Sequence, residues 1–166
     1  MEVGSERYDL TAETVSDFSD SVYRLALSYT GNREDAEDVC QEVFFRLFRK
    51  KPHLESKEHC RNWLFKVTAN CAKTLLSSAH HRNNTPLDSI VEQGEEDTYD
   101  DGIVYNAVMS LPPKQRLCIH LFYYEELSLK DISHVTGLGV NTVKSHLQRA
   151  KLKLKDLLKG EFGDEF

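Results

Sequence analysis

The chain has 166 residues, an apolar fraction of 40% and a formal net charge of −6 at pH 7. This length suits one ordinary domain or two small helical ones, and no apolar run approaches a membrane span of about 20 residues. The N-terminus lacks the basic-then-apolar order of a signal peptide, so we expect a cytoplasmic protein. The four cysteines lack paired metal-ligand spacing, which favours buried free thiols over a metal site or a redox switch.

Two helices are predicted in the first 50 residues. Apolar residues recur at helical spacing over 8–30, and Gly31 with Asn32 ends this helix. The second helix runs from Arg33 to about Lys50, because Pro52 stops it. Acidic residues suit its positive N-terminal end. Its predicted inward face consists of Val39, Val43, Phe44, Leu47 and Phe48.

A third helix, predicted over 58–79, is a candidate nucleic-acid surface. No carboxylate occurs over 59–87, whereas four basic side chains do. Trp63 and Phe65 could stack on unpaired bases, although the alternative for Trp63 is a tryptophan in the protein core. An aperiodic stretch follows over 83–102, and its charge indicates a linker extended by self-repulsion.

The C-terminal segment predicts a helix-turn-helix. A helix over 103–110 is followed by another that begins at the prolines of 111–113 and runs to about Tyr124. Ser128 and Asp131 have the spacing of a capping box. The glycines of 137–139 then separate a short helix from a long basic one. The long helix has a predicted apolar stripe of Val140, Val143, Leu147, Ala150, Leu154 and Leu157.

The charge is distributed unevenly along the chain. Residues 1–91 carry a net −2, residues 92–101 contain six acids and no base, and residues 104–159 carry a net +5. A basic helix that follows a glycine turn suits the major groove of DNA, and the segregated charge supports this interpretation. The alternative is an amphipathic helix pair with a solvated basic face.

No strand pattern competes with the helices, so the predicted fold class is all-α. We predict an N-terminal helical bundle over 1–84 and a C-terminal helix-turn-helix domain over 104–160. An acidic flexible linker, 85–103, joins them, and residues 161–166 form an acidic tail.

Three motifs occur in order along the chain. They are GNREDAEDVCQEVF at 31–44, WLFKV at 63–67 with Asn70 and Lys73, and LPPKQR at 111–116 followed by the stretch 128–152. Together they resemble the extracytoplasmic-function (ECF) group of bacterial RNA polymerase sigma factors. The resemblance covers nearly all of residues 18–158.

The resemblance implies a sigma factor that binds core RNA polymerase and directs promoter-specific initiation. Its C-terminal domain would read the double-stranded −35 element, and its N-terminal domain would open the −10 element and hold it as a single strand. An anti-sigma factor is a further implied partner. No cofactor, metal or small-molecule substrate is implied.

The resemblance also assigns contact residues to three sets. The matching positions for core polymerase are Asp35, Asp38, Gln41, Glu42 and Phe45. Those for the −10 element are Arg61, Trp63, Lys66, Asn70 and Lys73, with the rim of a base pocket over 54–62. Those for the −35 element are Thr142, Lys144, Ser145, His146, Gln148 and Arg149, where lysine and arginine suit guanine and glutamine suits adenine.

The chain departs from the family pattern after the third helix. Many relatives have an arginine cluster there, whereas here two serines and two histidines at 77–81 precede Arg82. We therefore expect promoter opening that is weaker or more restricted in sequence.

Other function classes have different requirements. A response-regulator type of transcription factor needs strand–helix alternation and an acidic pocket, which residues 1–84 do not show. A polymerase-binding factor without sigma activity would bind core polymerase and not DNA. An enzyme is disfavoured, because no glycine-rich phosphate loop, metal spacing or Ser/His/Asp arrangement can be assembled.

Overall fold

The computed structural model describes residues 12–83 and 99–162, in which every regular element is a helix, so the predicted all-α fold is confirmed. Residues 85–98 of the predicted linker and 163–166 of the predicted tail lie outside the described residues. The helices are α1 (Ala12–Thr30), α2 (Arg33–Lys50), α3 (Lys57–Asn83), α4 (Tyr99–Met109), α5 (Pro113–Ile119), α6 (Leu129–Thr136) and α7 (Val140–Phe162). A π-helical turn, His120–Tyr124, continues α5.

Gly31 and Asn32 separate α1 from α2 as predicted. Gly31 has a φ of +83°, a left-handed conformation that suits a residue without a side chain. The Asn32 side chain then caps α2. Its Oδ1 accepts a hydrogen bond from the backbone N–H of Asp35 at 2.8 Å, and its Nδ2 donates to Asp35 Oδ2 at 2.7 Å. The first bond satisfies one of the backbone donors that the start of a helix leaves free, and the second holds the Asn32 amide in place.

The first three helices pack against one another around a shared apolar core. Each contributes fully buried aliphatic side chains, for example Leu25 from α1, Leu47 from α2 and Leu64 from α3. The loop between α2 and α3 is anchored by Leu54, which is also buried. The outer faces of α2 and α3 are thereby oriented to solvent.

The predicted helix-turn-helix is confirmed in α6 and α7. Ser128 Oγ accepts a hydrogen bond from the Asp131 N–H at 3.1 Å, and Gly137 ends α6 with a φ of +76°. Val143 and Leu147 hold α7 against its neighbours α5 and α6. The motif therefore presents a buried side of α7 to the protein and a polar side to solvent.

The predicted apolar stripe of α7 is wrong at both ends. Val140 is exposed at the first residue of the helix, and Leu157 is 49% exposed whereas Leu158 is 5% exposed. Leu157 and Leu158 both fit the helical period after Leu154, the first at a spacing of three residues and the second at a spacing of four. Packing against the neighbouring helices buries Leu158 and leaves Leu157 exposed.

The two halves of the chain pack together, which the sequence did not predict. Helix α5 and the π-helical turn lie against α1, and α6 lies against α3. The buried apolar side chains form one continuous cluster across both halves. Every residue of α5 from Gln115 to Ile119 is buried, since α5 is covered by α1 on one side and α7 on the other.

Candidate nucleic-acid and polymerase interfaces

The outer side of α7 is exposed, cationic and opposite the buried stripe. Five of the six predicted −35 residues are exposed, namely Thr142, Lys144, Ser145, Gln148 and Arg149. By the period of 3.6 residues per turn, Ser145, Gln148 and Arg149 share the centre of this side, with Lys144 and Thr142 on its two flanks. Over 140–159 the helix has six basic residues and one acid. This side combines base-reading and phosphate-binding groups.

His146 differs from the other five residues. It is partly buried, and its Nδ1 atom is buried without a hydrogen-bond partner. Burial lowers the pKa of His146, and the positive charges of Arg149 and Lys114 lower it further. The ring is therefore neutral near pH 7, and it lies at the edge of the exposed side towards α5.

Helix α3 presents a narrow exposed face that contains four of the five predicted −10 residues. Trp63, Lys66, Asn70 and Lys73 are spaced by three and four residues, so they lie on one side of the helix. The lysines and Asn70 are exposed, whereas Trp63 is half-buried and packs against the core. An indole beside cationic side chains suits a single strand, which offers bases for stacking and phosphates for pairing.

Arg61 is separate from these four residues. Its guanidinium lies 6.0 Å from the centre of the Phe65 ring, and its Nε atom is buried without a hydrogen-bond partner. Phe65 is fully buried, so the expectation that it stacks on unpaired bases is wrong. The reason is that α3 is covered by α1, α2 and α6, which leaves only one side of the helix to solvent.

The loop before α3 is held by local hydrogen bonds. Ser56 Oγ accepts from the His59 N–H at 3.0 Å, and His59 Nδ1 accepts from the Glu55 N–H at 3.1 Å. Together with buried Leu54, these bonds order the segment that was predicted as the rim of a base pocket.

Helix α2 carries an exposed face of acids, amide and aromatic rings. Asp38, Gln41, Glu42 and Phe45 are exposed at spacings of three and four residues, and the Phe45 side chain is 59% exposed. Glu42 pairs with Arg46 at 2.8 Å on the surface. Exposed aromatic rings among carboxylates are suited to contact with another protein and not with a phosphate backbone.

Two further residues of α2 differ from expectation. Phe48 is 40% exposed and extends the same face, so its predicted inward position is wrong. Leu47 occupies the core position, and the next residue is turned about 100° around the helix. Asp35 is only partly exposed, and its carboxylate accepts a hydrogen bond from Nδ2 of Asn32, the residue that caps α2.

The buried thiols are not suited to metal binding or nucleophilic chemistry. Burial raises the pKa of Cys60 and of Cys118 to about 11, so both are protonated at neutral pH. Within residues 12–83 and 99–162, no group of three metal-binding side chains comes together. Over the same ranges, no helix has the length and apolar character needed to cross a membrane.

Comparison with known proteins assigns the two halves of the chain. Residues 14–82 match Sigma-70 region 2, and residues 101–154 match Sigma-70, region 4. The chain is 31% identical over 147 residues to RNA polymerase sigma factor SigV of Bacillus subtilis (strain 168), covering 87% of this chain and 88% of that protein. It is 30% identical over 158 residues to ECF RNA polymerase sigma factor SigM of the same strain, covering 89% and 94%.

The chain belongs to the ECF group of the sigma-70 family. A sigma factor directs RNA polymerase to promoters, and this chain therefore acts in promoter-specific transcription initiation. The family resemblance that three motifs indicated is confirmed.

Solved structures share the fold of this sigma factor over both halves. One is the sigma factor RpoE in complex with the anti-sigma factor NepR from Bartonella quintana, with a TM-score of 0.76 at 20% identity, over 90% of this chain and 96% of that chain. Another is the PhyRSL–NepR complex from Sphingomonas sp. Fr1, with a TM-score of 0.64 at 11% identity, over 95% and 96%. At these identities the likeness concerns the fold.

Two further residues of this sigma factor lie on the candidate surfaces and were not predicted from the sequence to be there. Phe48 continues the α2 face, and its position seven residues after Gln41 was the available signal. Leu152 is exposed on the polar side of α7, one turn beyond Gln148 and Arg149. An exposed leucine in that position suits contact with a thymine methyl group.

Proposed function

We propose that this ECF sigma factor uses three helical faces for three partners. The α2 face binds core RNA polymerase, the α3 face holds the single-stranded −10 element, and the α7 face reads the double-stranded −35 element. The observation that carries the proposal is the match between each face and its partner: acids with exposed rings on α2, cations with an indole on α3, and cations with polar side chains on α7.

On α7, different side chains contact the bases and the phosphates. Arg149 donates to guanine O6 and N7, and Gln148 pairs with adenine. Thr142 and Lys144, on the two flanks of the face, hold the phosphates that bound the major groove. The buried side of α7 fixes these groups in register, because Val143 and Leu147 lock it onto α5 and α6.

On α3, capture of a base opens the duplex without hydrolysis. Removing one base from the stack costs a few kcal/mol, and least where pairing is weak. Asn70 binds the edge of the extruded base and Trp63 stacks beside it, while Lys66 and Lys73 hold the strand by its phosphates. These four groups share one side of α3, so a single strand that follows the helix meets all of them.

On α2, the exposed side chains contact the polymerase and not DNA. Phe45 and Phe48 provide apolar anchors, and Asp38 and Glu42 provide charges for a basic surface of the polymerase. Acids at this place also keep DNA away from α2, which directs it to α3 and α7. The sigma factor supplies recognition, and the chemistry of RNA synthesis belongs to the polymerase.

The proposed domain limits follow the sequence. Residues 1–84 form the region 2 domain, 85–103 the acidic linker, 104–160 the region 4 domain and 161–166 the acidic tail. An anti-sigma factor is a further proposed partner, since the structural neighbours include a sigma factor bound to one. The proposed site of action is the cytoplasm, where polymerase and DNA meet.

Run-off transcription with purified core polymerase on fragments of the source genome tests the proposal. The expected result is new transcripts whose start sites share upstream elements. Phe45→Ala is expected to weaken co-elution with core polymerase by about 30-fold, the size of a central aromatic contact. Glu13→Gln, an exposed acid on α1, is the matched control and should bind core normally.

Two results would contradict the proposal. Co-elution with core polymerase without any defined transcript would make the chain a polymerase-binding factor. Binding to DNA without co-elution would make it a helix-turn-helix regulator that acts alone.

A further inference from the structure

The π-helical turn after α5 exposes two neighbouring tyrosine rings, Tyr123 at 52% and Tyr124 at 54%. Each ring has a cation over it. The Lys151 Nζ atom lies 5.5 Å from the centre of the Tyr123 ring, and the Arg24 guanidinium lies 5.4 Å from the centre of the Tyr124 ring. Arg24 belongs to α1, whereas Lys151 belongs to α7, the helix proposed to read the −35 element.

The backbone that carries these rings is unusual. The Glu125 N–H donates to the His120 carbonyl at 3.1 Å, which closes the π-helical turn. Glu126 follows with a φ of +57°, a left-handed conformation in a residue other than glycine. Single π-helical turns and left-handed residues of this kind are uncommon, and both recur at functional sites. The turn is therefore a candidate for a function beyond packing.

The Tyr123 ring is held in place by Phe122. Phe122 packs against the core, and its ring meets that of Tyr123 edge to face, with the ring centres 4.9 Å apart and an interplanar angle of 80°. This is a favourable geometry for an aromatic pair. Tyr123 is thus a fixed support that is still half exposed. A lysine over a fixed ring has less rotational freedom than a lysine in solvent.

Lys151 belongs to a row of lysines on one flank of α7. Lys144, Lys151 and Lys155 are exposed and lie within about 40° of one another around the helix. Lys144 and Lys151 are about 10 Å apart along the helix axis. Asp156, the one acid of α7 over 140–159, lies on a different side of the helix. The row therefore keeps its positive charge along this flank of α7.

The position of the row suits the DNA backbone. A recognition helix contacts base edges mainly with its N-terminal residues. Lys144 lies on the flank that holds phosphates in the proposed function, and Lys151 lies on the same flank, two turns further from the N-terminus. At that distance a side chain is at the level of the phosphates and not of the base edges. A lysine ammonium is suited to such a contact.

We propose that Lys151 is a further contact of this sigma factor to a DNA phosphate, and that Tyr123 is the residue that positions it. The inference rests on the proposed function, since it takes α7 as the helix bound at the −35 element. The ring offers its face to the ammonium and leaves N–H donors available for phosphate oxygens. Because Lys151 is held before DNA arrives, less rotational freedom is lost on binding. Tyr123 acts only through Lys151.

Fluorescence anisotropy of the full chain on duplex DNA, across a salt series, tests the Lys151 contact. One duplex has the −35 element of a promoter identified by run-off transcription, and a second has the same length with that element scrambled. Lys151→Gln should weaken binding about fivefold at 0.1 M salt and reduce the salt slope by about 0.9, equally on both duplexes, because a phosphate carries no sequence information.

Two results at Lys151 overturn the inference. The first is a Lys151→Gln variant with unchanged affinity and unchanged salt slope. The second is a variant that impairs co-elution with core polymerase and leaves DNA binding unchanged, because this flank of α7 would then be a protein-binding surface.

Substitutions at Tyr123 test the positioning role. Tyr123→Leu should weaken binding about threefold without a change in salt slope, because the lysine is still present but no longer held. Tyr123→Phe keeps the ring and should bind like wild type. Combined with Lys151→Gln, Tyr123→Leu should have no further effect. Combined with Lys153→Gln, an exposed lysine on the other side of α7, it should still cost about threefold.

Tighter binding by Tyr123→Leu would mean that the ring holds Lys151 away from DNA, and it overturns the positioning role. A loss that persists in the Lys151→Gln background also overturns it, because Tyr123 would then act by another route. Circular dichroism checks that all variants keep the helices and the melting temperature of wild type.

Failure of this inference differs from failure of the proposed function. If Arg149→Ala and Lys144→Ala also leave binding to the −35 duplex unchanged, α7 does not face the groove, and the inference fails together with the proposed function of that helix. If those two variants weaken binding while Lys151→Gln does not, only the Lys151 contact is wrong.

Discussion

Helices α3 and α7 are both long and cationic, yet they are built differently. Helix α7 buries one stripe, through Val143, Leu147 and Ala150, and leaves most of its circumference in solvent. Helix α3 is covered by three other helices and exposes one narrow side. The same kind of sequence, basic with apolar residues at helical spacing, thus gives a broad surface in one case and a narrow one in the other.

Because of this difference, a substitution can change DNA binding without changing stability more readily on α7 than on α3. On α7, a residue of the exposed side can change without affecting the core, so substitutions there should alter DNA affinity alone. On α3, the −10 residues alternate with buried ones, and a position one step along the helix belongs to the core. The largest effects on the fold are therefore expected on α3, and the cleanest effects on DNA binding on α7.

Phe65→Ala should have the largest effect. Phe65 is fully buried, and removing such a ring costs about 3–5 kcal/mol of the free energy of unfolding, because it leaves a cavity. Urea or thermal denaturation of the free chain measures the loss. Lys66→Ala, the exposed neighbour, is the control and should unfold like wild type; equal losses in the two variants would remove the distinction between the sides of α3.

Arg149→Ala and Lys144→Ala should weaken binding to a −35 duplex without a change in unfolding. The expected loss for Arg149 is about tenfold to 100-fold, the range for a bidentate contact to guanine. Lys144 should lower affinity less and reduce the salt dependence by about one phosphate. Fluorescence anisotropy across a salt series measures both, with Lys50→Ala on α2 as control. Unchanged affinity in both variants would contradict the groove-facing assignment.

Asn70→Ala should slow promoter opening about fivefold, equivalent to one hydrogen bond of about 1 kcal/mol. Reactivity of unpaired thymines to permanganate follows the opening. A promoter that is already mismatched at the −10 element should remove most of the defect, because no base has to leave a duplex. A defect of the same size on that template would place Asn70 outside the opening step.

His146 should give the smallest effect, seen as a pH dependence of stability. The pKa of His146 is lowered in the folded chain by burial and by neighbouring positive charges. The unfolded chain therefore binds more protons below about pH 6.5, so stability is present above that pH and is lost as pH falls through the lowered folded pKa. Melting temperatures at pH 7.5 and pH 5 should differ less in His146→Gln than in wild type.

Local features of the fold could be predicted from the sequence. The cap at Ser128 and the glycine turn at 137–139 were predicted because each depends on residues within one helical turn. The ends of helices were less certain, since α3 continues to Asn83 and α4 begins at Tyr99, both beyond the predicted limits. Pro86, three residues after Asn83, was an available signal for the end of α3, whereas no proline or glycine lies in the four residues before Tyr99.

Contacts between distant residues could not be predicted. Arg116 was part of a recognised motif, but its partners Ser28 and Tyr29 lie 88 and 87 positions away. An arginine in a polar motif is typical of a surface residue, and only the packing of α5 against α1 buries it. Phe65 was misjudged for a related reason: α1, α2 and α6 all pack against α3, and none of these contacts has a signal in the residues around Phe65.

Asp35 and Asp38 provide a last contrast. Asp38 is exposed, whereas the Asp35 carboxylate also accepts a hydrogen bond from Asn32, the residue that caps the helix. A change at position 35 acts on helix initiation and on the binding face together, while a change at position 38 acts on the face alone. Over evolutionary time, Asp35 should accept fewer residue types than Asp38, and its history should be tied to that of Asn32.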